Sequence, residues 1–186
     1  MEKTIFLGNT RRLFTYENLA QLQLEASRYN IHIGNNVKVG NFTNISFDVN
    51  IENDTVIGND CYIDEHVKIG EGVTIADFCR FEEEVTIGEG VTIGERVGID
   101  TMSVVGSRTT IGKLSYVNID STIENDVKIG ERVRVEESGR VLNGATVEDG
   151  CTISHSATVL ENAVVPKNTT VGHLVEFGLV EFGEEE

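Results

Sequence analysis

Positive charge is scarce in this chain. Fifteen lysines and arginines stand against 31 aspartates and glutamates in 186 residues, a formal net charge of −16. Such a surface repels nucleic acid and anionic membranes, so neither is expected as a partner. Long apolar runs are missing too, which excludes a membrane-spanning helix, and the opening Met1-Glu2-Lys3 does not read as a signal peptide. Tryptophan is absent and proline occurs once. No inserted loop interrupts the pattern that fills most of the chain.

That pattern has a period of six. From Ile33 to Val171 every sixth residue is Ile or Val, with Phe81 the one exception, and this continues without a slip for twenty-four hexads. Two residues before each aliphatic stands a small or β-branched residue, such as Val37, Thr43, Cys61, Ser103, Gly139 or Ala163; only Ile31, at the start, is larger. Side chains alternate along a strand, so a pair at i−2 and i gives two inward residues of one short strand. Ten of the aliphatics are followed by Gly, and others by Asp, Glu, Asn or Ser. These suit the bend to the next strand, where a positive φ is expected. Three strands, or three hexads, make one coil, so the repeat predicts eight coils in a solenoid about 38 Å long.

The aliphatic, the Gly or small polar residue after it and the small residue four positions on resemble the hexapeptide-repeat, left-handed parallel β-helix proteins. The resemblance covers about residues 31–173 and supplies the left hand, which the period alone does not. Residues 1–30 are read as an N-terminal cap: a short strand at Thr4-Ile5-Phe6-Leu7, then a helix over about 16–29, capped by Thr15, with Leu19, Leu22, Ala26 and Tyr29 on one face. Residues 174–186 hold a direct duplication, Leu174-Val175-Glu176-Phe177-Gly178 then Leu179-Val180-Glu181-Phe182-Gly183, and end in three glutamates. They read as a C-terminal cap and acidic tail, or as a strand that docks a partner. Cys61, Cys79 and Cys151 all fall in the small inward column, so they are expected as core thiols in a reducing, cytoplasmic setting.

The coil period sorts the outward residues onto three faces. The face ending at Ile45, Ile63, Phe81, Ile99, Val117, Val135, Ile153 and Val171 carries Phe42, Tyr62, Phe78, Arg80, Arg96, Leu114, Tyr116, Arg132 and Arg134. Aromatics and arginines together mark a contact surface. In the family that the chain resembles, one of trimers, this is where neighbouring prisms would meet, so the resemblance implies a homotrimer. A second face carries Thr74, Thr92, Thr110 and Thr146. Lys38, Val56, Lys128 and Val164 interrupt that column, which argues against ice binding. The third face is polar and acidic, with Asp48, Glu84 and Asp120. His32 and His66 are placed on its outward strand positions and read as solvated.

His155 and His173 lie three hexads apart, with Glu137 a further three hexads before them. All three are therefore expected at one corner on successive coils, about 5 Å apart along the rod. The segment Ile153-Ser154-His155-Ser156-Ala157-Thr158-Val159 resembles the aliphatic-x-His-polar-Cys-x-Val segment of hexapeptide-repeat sugar acyltransferases, among them UDP-N-acetylglucosamine acyltransferase and bacterial amino-sugar acetyltransferases. The resemblance implies that His155 is a general base, an imidazole having its pKa near neutral. Glu137 would orient it, and an adjacent corner amide would bind the oxyanion. Ala163 to Gly172 resembles the last coil of acetyl-CoA-dependent members. The basic run that follows in those members is replaced here by acidic sequence, so Arg132 and Arg134 are the candidates for holding a phosphate. The implied reaction is acetyl transfer from acetyl-CoA, with no tightly bound cofactor, to an amine or hydroxyl of a sugar or nucleotide sugar. An acyl carrier protein, itself acidic, is not expected to dock. Two alternatives remain open at this point: a non-catalytic β-helix scaffold, and a zinc site of the carbonic-anhydrase-like kind at Glu137, His155 and His173.

Overall fold

Each hexad forms a strand of two residues, the first pointing outward and the second, the Ile or Val of the repeat, buried. The computed structural model, which describes residues 3–8 and 13–178, winds these strands into a left-handed parallel β-helix of about eight coils. The first three repeat strands are β3 (His32–Ile33), β4 (Lys38–Val39) and β5 (Asn44–Ile45), and each starts one wall. Sheet B runs from β3 to Glu176–Phe177, sheet C from β4 to Val164–Val165, and sheet A from β5 to Thr170–Val171. Strand Glu176–Phe177 pairs in parallel with Thr158–Val159, so the helix continues past residue 173, and Phe177 extends the inward column by one. Leu179–Gly183, the second copy of the duplicated pentapeptide, and the terminal glutamates lie outside the described residues. Among the described residues no helix is long and apolar enough to cross a membrane.

What holds one coil on the next is a backbone ladder in which each strand amide reaches a carbonyl of the following coil. Lys38 N donates to Thr55 O at 2.9 Å, Val56 N to Val73 O at 2.8 Å and Thr74 N to Val91 O at 2.9 Å. The inward small column adds a second set of bonds. Thr43, Thr55, Ser103, Thr109, Ser115 and Ser121 are buried, and each hydroxyl donates to a corner carbonyl of the following coil, at 2.8–3.0 Å. The cysteines take the same role, with Cys61 Sγ to Ala76 O at 3.2 Å and Cys151 Sγ to Pro166 O at 2.9 Å. All three are free and buried, and the Cys79 thiol is pushed up by its hydrogen bond with Cys61 and by burial, which keeps it an inert thiol.

The glycines that follow the aliphatics serve a purpose other than the one expected. The left-handed residue lies three positions after the aliphatic, at Asn36, Phe42, Asp48 and onward with φ near +57°. Gly40 and its equivalents are needed because the next coil comes close: a Cβ on Gly40 would lie 2.3 Å from Gly58 O. The strain therefore falls on ordinary residues. A left-handed L-residue costs roughly 1–2 kcal/mol, less for Asn and Asp.

The N-terminal cap is knitted into the solenoid. Strand β1 (Lys3–Leu7) pairs in parallel with β5, placing Leu7 beside Ile45, and pairs antiparallel with β2 (Leu13–Tyr16). The helix α1 (Leu19–Ala26) is shorter than expected, and its cap is Asn18, which accepts from Gln21 N at 3.1 Å; Thr15 is in β2 instead. Leu22 and Ala26 are buried over the first coil, and Leu19 and Tyr29 pack against the core. The first coil of a solenoid has carbonyls with no preceding coil to donate to them. Here Lys3 Nζ and Tyr16 OH both donate to Val39 O, at 2.7 and 3.0 Å, while Gln23 Nε2 donates to Ile33 O and Gly34 O.

Two outcomes follow. Ile99 is 1 % exposed among stacked aliphatics, so Ile99→Asp places an unpaired carboxylate in the core and is expected to prevent folding. A soluble variant that unfolds cooperatively in urea would refute this register. Burial pushes Tyr16 from 10.0 up to about 12. A raised tyrosine favours the neutral fold, so its contribution is complete below pH 10 and is lost as pH rises through the interval to 12. Tyr16→Phe should cost about 1 kcal/mol at pH 8. That deficit should shrink above pH 10 in paired urea denaturations, and a deficit constant with pH would contradict the assignment.

Candidate active-site corner

Sheets A and B meet at a corner whose leading column reads Phe47, Glu65, Glu83, Thr101, Ile119, Glu137, His155 and His173. The residue after each of these has a positive φ and donates its amide to the coil before: Ser156 N to Glu137 O at 3.0 Å, Leu174 N to His155 O at 3.4 Å. This stacking brings Glu137, His155 and His173 together. The two imidazoles stack with centroids 5.2 Å apart and planes 23° apart. Glu137 Oε2 lies 3.8 Å from His155 Nδ1. His173 Nδ1 lies 2.8 Å from His155 O. A carbonyl only accepts, so that nitrogen carries the proton and His173 Nε2 faces outward. With Nδ1 of His155 toward the carboxylate, its Nε2 is likewise the nitrogen left for a ligand. His155 and Glu137 are 46 % and 57 % exposed. An exposed pair of this kind contributes about 0–1 kcal/mol. The amides of Ser156 and Leu174 are committed to carbonyls, so they are not oxyanion donors.

The predicted arginines flank the corner without joining it. Arg134 lies on sheet A with its guanidinium 5.7 Å from the Tyr116 ring centroid and 3.8 Å from Glu136. Arg132 stands at the opposite corner of sheet A, between sheets C and A, 3.5 Å from Glu131. Phe42, Phe78, Arg96 and Leu114 also belong to that C–A corner, in left-handed conformation, and so border the face on which they were expected. The arginines reach back one coil: Arg80 sits 4.9 Å over Tyr62 and Arg96 sits 5.0 Å over Phe78. Gly98 makes room for the Tyr116 ring, whose Cδ2 would be 2.7 Å from a Cβ there, and Tyr116 OH donates to Asp100 at 2.9 Å.

His32 is exposed on β3 as expected. His66 is at the A–B corner with φ of 60°, not on a strand, because the turn there needs a left-handed residue. Its Nδ1 is 3.9 Å from Asp48 Oδ2. Asp48, His66, Lys68, Glu84 and Thr86 line an open groove of about 470 Å³. Among the described residues, the one set of three potential metal ligands with donor atoms within 4.8 Å of one another is Glu65, His66 and Glu83, at the far end of this corner from His155. Sequence reasoning missed this trio. The signal was present, since Glu65 and Glu83 are one coil apart and His66 adjoins one of them.

Two solved structures resemble the chain closely in shape. A Francisella novicida UDP-N-acetylglucosamine acyltransferase matches with a TM-score of 0.75 and 19 % identity over 78 % of this chain and 60 % of that one. The Bacteroides fragilis UDP-N-acetylglucosamine acyltransferase matches at 0.72 and 20 % over 77 % of this chain and 63 % of the other. The chain thus spans under two thirds of either enzyme, and the likeness is one of fold. No curated protein matches the sequence. The family described as the GMPPB C-terminal domain matches residues 45–138, ending before His155. That match takes in just over half of the chain, and with the unbroken hexads it places the chain in the GMPPB C-terminal domain family, on a hexapeptide-repeat, left-handed β-helix.

Proposed function

We propose that this chain is an acyltransferase that moves an acetyl group from acetyl-CoA to an amine or hydroxyl of a sugar or nucleotide sugar. The observation that supports the reading is Glu137 beside His155, at 3.8 Å, with the His173 ring stacked on His155 at 5.2 Å. Glu137 holds the Nδ1 side of His155 and supports its positive charge. The outward Nε2 takes the proton of the acceptor hydroxyl or amine as that group attacks the thioester carbonyl. A C–O or C–N bond forms, the C–S bond breaks, and the imidazolium returns the proton to the departing thiolate. Arg132 and Arg134 serve a phosphate of the donor or acceptor. They reach it by exchanging the exposed carboxylates of Glu131 and Glu136 for it.

By the same reading the protein is a cytoplasmic homotrimer, associated through sheet A and the C–A corner beside it, which carry Tyr116, Arg80 and Arg134 on the strands and Phe42, Phe78, Leu114, Arg96 and Arg132 at the turns. The net charge of −16 opposes an acidic carrier protein as acyl donor and favours a free thioester. It also opposes self-association, so salt should strengthen the trimer. A second reading, a rigid non-catalytic scaffold, is favoured by the absence of any inserted loop from residue 33 to 171 and by a family described as a C-terminal domain.

Titration calorimetry with acetyl-CoA separates the two. The enzyme reading predicts saturable binding, and a His155→Ala variant that still binds but loses about 100-fold or more in turnover. Well-folded protein that binds no acetyl-CoA would leave the scaffold.

A further inference from the structure

Sheet A ends at the cap in an open edge. Its order begins β2, β1, β5, so among the described residues β2 pairs with β1 alone. Phe6 N donates to Thr43 O and Thr4 O accepts from Phe42 N, so the even residues of β1 turn toward the first coil. Lys3 and Ile5 are left to bond Tyr16 and Phe14, which lie opposite them. On β2 the amides and carbonyls of Leu13 and Thr15 therefore point off the sheet. Such an edge is a template for a further strand. Between β2 and α1 lies a groove of about 450 Å³ lined by Phe14, Thr15, Glu17, Gln21, Leu24 and Glu25. Leu13 and Leu24 are 57 % and 68 % exposed beside it. At the other end of the rod, Leu174–Gly178 shows what its sequence does when an edge is offered. Glu176–Phe177 pairs with Thr158–Val159 and turns Phe177 onto the core. The copy, Leu179–Gly183, has no such place on its own rod. The hexads bring the next inward pair to positions 181 and 183, which hold Glu and Gly, because the duplication has a period of five. Following the repeat would bury an unpaired carboxylate and turn Phe182 outward.

We propose that β2 of one chain takes Leu179–Gly183 of another copy as an added strand. Side chains alternate along a strand, so Val180 and Phe182 fall on the face of Phe14 and Tyr16, in the groove beside Leu24. Leu179 and Glu181 fall on the outer face with Leu13 and Thr15. The tail cannot serve its own β2. Residue 183 lies five positions past Gly178, about 18 Å at full extension, whereas about 38 Å of rod separates the two ends. Charge agrees with the occupant. Residues 1–30 hold four lysines and arginines against three carboxylates, and the rest of the chain eleven against 28. Two of those three carboxylates, Glu17 and Glu25, line the groove, and Glu25 is paired with Arg28 at 3.0 Å. A tail with Glu176, Glu181 and Glu184 to Glu186 is thus repelled least at the cap. The contact joins unlike ends of two rods, so it propagates end to end instead of closing on a two-fold axis. Neither segment includes Glu137, His155 or His173.

Two full-length variants test the pairing by sedimentation velocity. Thr15→Pro removes an amide that points off the sheet, a place where an edge strand tolerates proline. Phe182→Asp spoils the tail and leaves β2 intact. Both are first checked for unchanged circular dichroism and thermal unfolding, and Leu24→Asp, on the exposed wall of the groove, replaces Thr15→Pro if proline disturbs the cap. The two variants should share one mass, and the natural chain should run to open-ended multiples of it as concentration rises. Mixed, the variants regain a single contact, the tail of the Thr15→Pro chain on β2 of the Phe182→Asp chain. The mixture should reach twice the shared mass and nothing larger. A natural chain that never exceeds the mass of the variants, or a mixture that does not associate, overturns the proposal. Association that Thr15→Pro abolishes and Phe182→Asp keeps means that β2 pairs with β2 of a second copy, and overturns it as well.

Discussion

Each residue stacks on its counterpart three hexads later, and most of this structure follows from that one constraint. The ladder of amides to carbonyls of the following coil admits no shift, because any shift of a strand breaks its bonds on both sides at once. Each column must then hold side chains that tolerate an identical neighbour one strand spacing away. Aliphatics meet this by packing, each contributing about 1.5–3 kcal/mol through burial. The hydroxyls and thiols of the second column meet it by bonding to the coil that follows. Glycine meets it where the coils come too close for a Cβ. Outward columns are under no such demand, since exposed ion pairs contribute about 0–1 kcal/mol. They are where this chain differs from a bare repeat.

The same stacking places the candidate corner. With no loop inserted in the hexads from Ile33 to Val171, side chains are gathered by stacking in register along a corner, as Glu137, His155 and His173 are. Their separation is fixed by the ladder rather than by any local turn. His155 and Glu137 are about half exposed there.

Much of this was legible in the residues. The hexads from Ile33 to Val171 determine strand, coil and core, and the spacing of three hexads placed His155 beside His173 and Glu137. What the period did not reveal is instructive. It located the bends but misassigned the positive φ to the glycines, because a bend glycine and a close-approach glycine look alike in sequence. It put Arg132 on the same face as Arg134, since two residues apart reads as one strand, although the corner intervenes. It read Thr43, Ser115 and their equivalents as merely small, since the carbonyl that each hydroxyl meets belongs to another coil. Thr15 looked like the helix cap because the β1–β2 hairpin, a tertiary pairing, left no local mark.

The central claim is that three whole hexads, and no fraction of them, form the unit of this fold. Deleting residues 101–118 removes one coil and joins Asp100 to Ile119 as Asn118 was joined, so every column and corner stays in register. Deleting residues 101–109 removes half as much and displaces every later column. Thermal unfolding followed by circular dichroism decides between them. The account predicts a cooperative transition with a β spectrum for the longer deletion and none for the shorter. A shorter deletion that folds as well as the longer one, or a longer deletion that does not fold, would contradict it.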